Sequence, residues 1–102
     1  MILEAAVLSI DPARGGEFER AFAEARRIIS AMPGFNSFEL QRGLETPGRY
    51  LLLVEWRSVE DHTVGFRQSP QFLRWRQLIG PFFAAPPAVE HYERIDGGGA
   101  PA

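Results

Sequence analysis

The stretch Ile2–Ile10 constrains the fold most. Its alternating faces are both apolar, with Leu3, Ala5 and Val7 on one and Ala6, Leu8 and Ile10 on the other, and Glu4 is its only charge. A strand that shows apolar side chains both ways belongs in the middle of a sheet covered on both sides. A chain of 102 residues is the size of one compact domain, so one core must bury it.

The next segments supply the cover. Asp11-Pro12 ends the strand, and from Glu17 the residues Phe18, Phe22, Ala25, Ile29 and Met32 form one stripe of an amphipathic helix that Pro33-Gly34 stops after about Ala31. Phe35–Arg42 alternates, Phe38 and Leu40 against Ser37, Glu39 and Gln41, which predicts a strand with one polar face. Thr46-Pro47-Gly48 is turn chemistry, and Arg49–Arg57 returns as the second strand of a hairpin. Ser58 and Asp61 have the spacing of a capping box, and Val59, His62 and Phe66 share one side of the short helix after them. Ser69-Pro70 starts a third helix with the inward stripe Phe72, Trp75, Leu78 and Ile79, ended by Gly80-Pro81. Phe82, Phe83 and Pro86-Pro87 make an apolar loop, and Ala88–Ile95 predicts the last strand. Residues 1–95 thus make the domain, and 96–102 form a Gly/Pro/Ala tail expected to be mobile.

The order βαββααβ is the split βαβ of a ferredoxin-like α+β fold, a four-stranded antiparallel sheet with its helices on one face. Because the first and third strands are apolar on both faces, the other face needs cover as well, and a homodimer packing sheet on sheet supplies it.

Composition removes whole classes of chemistry. There is no cysteine, and all eleven basic residues are arginine. Thiol nucleophiles, zinc ribbons, Schiff bases and a phosphate-gripping lysine are therefore excluded, and two histidines far apart in sequence make no metal site. A net charge of −2 with interspersed signs points away from nucleic acid. No run approaches the roughly 20 apolar residues of a membrane span, and the first residues lack a positive n-region, so a cytoplasmic protein without a membrane partner is expected. Twelve aromatic residues, eight of them Phe, are left to fill a core, an interface or the wall of a pocket for a flat ligand.

Several stretches taken together resemble the antibiotic biosynthesis monooxygenase (ABM) domain family in its small single-domain bacterial form. They are Met32-Pro33-Gly34-Phe35, Tyr50–Arg57 with Ser58 after it, His62–Phe66, Arg67-Gln68-Ser69, Phe72-Leu73-Arg74-Trp75, and the closing segment from Pro81-Phe82 to Val89-Glu90-His91-Tyr92. The resemblance implies a dimeric α/β barrel with a pocket between sheet and helices in each subunit. It also implies activities that range over aromatic polyketide oxygenation, quinol oxidation and haem degradation. The haem-degrading branch uses an Asn of the first strand, a Trp and a His. Here the first strand has no Asn, the Trp position falls near Phe66 and the His position near Trp75-Arg76, so haem degradation is not expected.

The candidate site residues follow from chemistry. His62 and then His91 are the candidate catalytic bases, because imidazole titrates near neutral pH. Phe66, Phe72, Trp75, Phe82 and Phe83 suit stacking on an aromatic substrate, Arg67 could hold a phenolate, and Tyr50 and Tyr92 could donate to a developing oxyanion. Glu55, a lone charge in an apolar strand, is a second base whose pKa burial would raise. The expected function is a monooxygenase that uses O2 without cofactor or metal on a small phenol, anthrone or quinol. The alternative is a non-catalytic dimeric barrel that binds a small apolar metabolite.

Overall fold

A computed structural model describes residues 1–101. Among these the chain forms β1 (Ile2–Ser9), α1 (Gly15–Ser30), β2 (Phe35–Arg42), β3 (Arg49–Trp56), α2 (Pro70–Ile79) and β4 (Ala88–Glu93), with 3-10 turns at Pro12–Arg14 and Gly80–Phe82 and a π-helical turn at Asp61–Phe66. The four strands lie antiparallel in the order β2-β3-β1-β4, and β1 has a neighbour on each side, as its two-faced apolar character requires. Strand β4 stops at Glu93, short of the expected Ile95, and Asp96–Pro101 are exposed without helix or strand. Ala102, the last residue of the expected tail, lies outside the described residues.

One face of the sheet carries both helices. Phe18, Phe22, Ala25 and Ile29 of α1 are buried against Ala6, Leu8, Ile10, Tyr50, Leu52, Val54 and Trp56 of the sheet and Trp75 and Ile79 of α2. The odd-numbered residues of β1 and β3, Leu3, Ala5, Val7, Leu51 and Leu53, look the other way and stay half exposed. That open face is the one for which a second sheet was expected.

Local signals work as their chemistry demands. Ser69 caps α2 by accepting from the Phe72 N–H at 3.3 Å, with Pro70 in the first turn. Ser58 Oγ accepts from the Asp61 N–H at 3.2 Å. The two turns that aim the hairpin use glycines at φ +83°. At Gly34 a β-carbon would collide with the Asp61 carboxylate, and at Gly48 with the Ile10 carbonyl, so both also permit a close approach.

Candidate active site

Glu4 of β1, Trp56 of β3, His62 of the π-turn and His91 of β4 meet at one end of the covered face. Register accounts for the strand residues: Glu4 lies directly opposite His91 across β1 and β4 and opposite Val54 across β1 and β3, so it points with Ala6 and Leu8 toward the helices. Trp56 follows Val54 by one alternation and shares the face. Arg57 and Asp61, paired at 2.9 Å, fix the start of the next segment. The Arg67 N–H then donates to the His62 carbonyl at 2.9 Å, closing a π-type turn that buries both His62 and Phe66.

The contacts are specific. Trp56 Nε1–H donates to Glu4 Oε1 at 2.9 Å, and His62 Nε2 lies 3.4 Å from the same oxygen. His62 Nδ1 and His91 Nε2 share a hydrogen bond of 2.8 Å. The His62 ring stacks on Trp56 with centroids 5.5 Å apart and planes at 24°. Only 5% of Glu4 and 3% of His62 is exposed, so neither is solvated as a surface group would be.

Burial dominates the electrostatics. It pushes the Glu4 carboxyl above its usual range, against the lowering effects of the Trp56 hydrogen bond and of the Arg67 charge. It lowers His62 to about 4, helped by His91 and Arg67, so the imidazole is neutral at physiological pH.

Glu4 and His62 of this cluster line a cavity of about 850 Å3 between the β1 and β4 side of the sheet, α2 and the Pro81–Pro87 loop. The volume is in the range of small-molecule sites. His62, Phe66, Arg67, Phe72, Trp75 and Phe83 all line it, and Phe66 stands edge-on to both Phe72 and Trp75, with centroids 5.2 and 5.7 Å away. His91 stands behind His62 as its hydrogen-bond partner and is half-buried.

Four expected residues lie elsewhere. Tyr50 is buried at the opposite end of the layer, 4.8 Å from the Phe18 ring, and its hydroxyl donates to Glu19 at 2.6 Å. Phe82 packs there too, edge-on to Phe18 and beneath the Arg14 guanidinium. Tyr92 and Glu55 face the open side of the sheet, because both pair with Leu3 in register and alternate with the inward residues. There Glu55 accepts from Ser37 Oγ at 2.8 Å and Asn36 Nδ2 at 3.1 Å, which lower its pKa where burial was expected to raise it. Among the described residues the buried carboxylate is Glu4, which together with Trp56 lies outside the expected site. The signal is present in the chain, since Glu4 has the same parity as Ala6, Leu8 and Ile10.

A ferredoxin-like α+β domain with an aromatic cavity, a buried carboxylate and a histidine pair between sheet and helices is the class these features define. The chain belongs to the antibiotic biosynthesis monooxygenase family, whose family model matches residues 1–78. It is 43% identical over 95 residues to the uncharacterized protein YczJ of Bacillus subtilis, covering 93% of this chain and 100% of that one. A crystal structure from Bordetella bronchiseptica, named for the same family, superposes with a TM-score of 0.89 at 40% identity, covering 92% of this chain and 96% of the other. The fold is also that of SnoaB, a cofactor-independent oxygenase from Streptomyces nogalater, at a TM-score of 0.76 and 17% identity over 94% of each chain.

Proposed function

We propose that this protein is a cofactor-independent monooxygenase of a small aromatic substrate with an acidic proton, a phenol, anthrone or quinol. The observation that carries the reading is a neutral, buried imidazole, hydrogen-bonded to a second one, beside a carboxylate at the wall of an aromatic cavity. Phe66, Phe72, Trp75 and Phe83 would sandwich the rings, and Arg67 at the rim would hold a phenolate. The base belongs to the cluster that contains His62 and His91.

The chemistry needs little more from the protein. Loss of a proton leaves an electron-rich carbanion, whose electron pair goes to O2 as a C–O bond forms. The peroxide takes the proton back from the protonated base. Loss of the second proton from carbon with cleavage of the O–O bond then yields a carbonyl and water. Carbon is oxidised, one oxygen atom is retained and the other is reduced to water, with no outside reductant. The cavity's tasks are to bind, deprotonate and exclude water.

SnoaB supports the reading by analogy of fold. The site is read as working in the cytoplasm, in a homodimer joined through the half-exposed Leu3, Val7, Leu51 and Leu53 face. Leu53→Glu is then expected to give a monomer in light scattering, and an unchanged mass would remove the dimer.

Oxygen uptake with a panel of anthrones, quinols and naphthols tests the function. The expected result is turnover that incorporates a single labelled oxygen atom and falls at least ~100-fold in the His62→Ala, His91→Ala double variant. One observation favours the alternative: His62 Nδ1 is already taken by His91, as in a protein that binds an apolar metabolite without changing it. Tight binding of panel members with no oxygen consumed would establish that alternative.

A further inference from the structure

The His62–His91 pair is the evident place to look for the base, but its geometry points one residue deeper. His62 Nδ1 is spent on His91, and its ring is buried in a stack against Trp56. Protonation there would create a cation inside an apolar wall, next to the charge of Arg67 that already disfavours it.

Glu4 has the opposite balance. Its Oε1 is held by the Trp56 N–H at 2.9 Å and approached by His62 Nε2 at 3.4 Å. Among the described residues Oε2 has no hydrogen-bond partner, yet no buried side-chain oxygen or nitrogen is left without one, so Oε2 opens to the cavity that Glu4 lines. No guanidinium forms an ion pair with this carboxylate among the described residues, unlike those of Glu19 and Asp61. A proton arriving on Oε2 therefore removes a buried charge, where one arriving on His62 makes one.

We propose that Glu4 is the catalytic base of this site, with Oε2 as the accepting atom, and that Trp56, His62 and His91 are positioning residues that hold Oε1. This rests on the oxygenase reading for its substrate class. In the step, the substrate C–H or O–H bond breaks, its electron pair stays on the substrate, and an O–H bond forms on Oε2. The negative charge moves from carboxylate to substrate without leaving the cavity, near Arg67. The same Glu4 O–H then returns its proton to the peroxide.

The experiment is anaerobic mixing of the protein with anthrone and with naphthols of graded acidity. Absorbance follows the bound anion and tryptophan fluorescence follows binding. Wild type is expected to ionise the bound ligand, His62→Gln to ionise it more weakly with a shifted pH profile, Glu4→Gln to bind it without ionising it, and Glu4→Asp to recover part of the signal. With oxygen admitted, Glu4→Gln is expected to lose at least ~100-fold in turnover. Ionisation that survives in Glu4→Gln but is lost in His62→Gln overturns the assignment in favour of His62. A wild type that binds but never ionises its ligand overturns it as well. Ionisation by Glu4 without oxygen consumption would instead remove the oxygenase reading and leave the base in place. If no panel member binds, the infrared difference between wild type and Glu4→Gln decides. A carboxylate that is ionised at the assay pH and gains an exchangeable protonated-carboxyl band as the pH falls supports Glu4 as proton carrier, and a carboxyl that stays protonated through the assay pH overturns it.

Discussion

The two ends of the helix-covered face each hold a glutamate, and they treat it in opposite ways. At one end Glu19 accepts from the Tyr50 hydroxyl and from Arg42, both at 2.6 Å, and these partners hold its pKa below the usual range. At the other end Glu4 has only neutral partners in contact, the Trp56 N–H and the His62 ring, and burial holds its pKa above that range. The first arrangement closes the rim of the core with a solvated charge pair, which contributes little and does no chemistry. The second keeps a carboxylate desolvated and within reach of a proton, which is costly for stability and useful for acid–base work. The same residue type is a seal in one place and a reagent in the other, and the difference is the absence of a contacting guanidinium.

Removing one donor from each carboxylate gives the largest contrast. Trp56→Phe deletes the N–H that holds Glu4 and thins the ring that packs on His62 and Phe66. It is expected to cost about 3 kcal/mol, the sum of an unsatisfied buried acceptor and a small void. Tyr50→Phe deletes the hydroxyl that serves Glu19, which keeps Arg42 and solvent, and is expected to cost about 1 kcal/mol. Urea denaturation of the pair measures both. Equal losses would mean that the two ends are energetically alike.

The pH dependence of stability separates the ends next. His62 is lowered to about 4 on folding, so the unfolded chain binds more protons between about pH 4 and its usual 6.5. Its contribution therefore rises with pH across that window, by roughly 3 kcal/mol in all. Glu4 is raised, so the folded chain binds more protons just above the ordinary carboxylate pKa, and its contribution falls as pH rises through the folded value. The two slopes oppose where the windows overlap: folding moves a proton from imidazole to carboxyl. Wild type is expected to be flat there. Glu4→Gln would uncover the rising slope of His62, and His62→Phe the falling slope of Glu4. Glu19→Gln is expected to leave this window flat and to remove only stability that is lost as pH falls below the ordinary carboxylate range. A steep wild-type slope just above the ordinary carboxylate range would break the pairing of Glu4 with His62.

Much of this architecture was legible in the sequence because its signals are local. The stripe Phe18, Phe22, Ala25 and Ile29, the Ser69-Pro70 start and the Ser58 and Asp61 cap each depend on neighbours a few residues away, and each forms as expected. The aromatic wall of Phe66, Phe72 and Trp75 was legible for the same reason. Of the acid–base cluster His62 and His91 were legible as imidazoles, but their meeting with Glu4 and Trp56 was not, because it is made by register between distant strands. Glu4 and Glu55 look alike in sequence, each the single acidic residue of an apolar strand. Which of them is buried depends on which face the helices choose, and with both faces apolar the pattern leaves that choice open. Tyr50 and Phe82 were misplaced for a related reason: they share the covered layer with the cavity, but lie at its other end, and position along a strand says little about where a pocket opens.

The smallest expected effect concerns the two arginines that bear on these carboxylates from unequal positions. Arg42 touches Glu19 directly, whereas Arg67 acts on Glu4 and His62 without an ion pair and also stands over the Phe72 ring at 5.9 Å. A positive charge nearby disfavours protonation of carboxyl and imidazole alike. Arg67→Gln should therefore shift both groups upward, Glu4 further from its ordinary value and His62 back toward it. Arg42→Gln should raise Glu19 only in part, since Tyr50 still donates to it. Both side chains are exposed, so solvent screens them and the stability change is expected to be small. Proton NMR of the two imidazoles across pH reads the shift directly, and its loss in high salt would show that it is coulombic. If the His62 resonances do not move in Arg67→Gln, burial and His91 set the protonation of His62, and Arg67 is left with the substrate as its only anion.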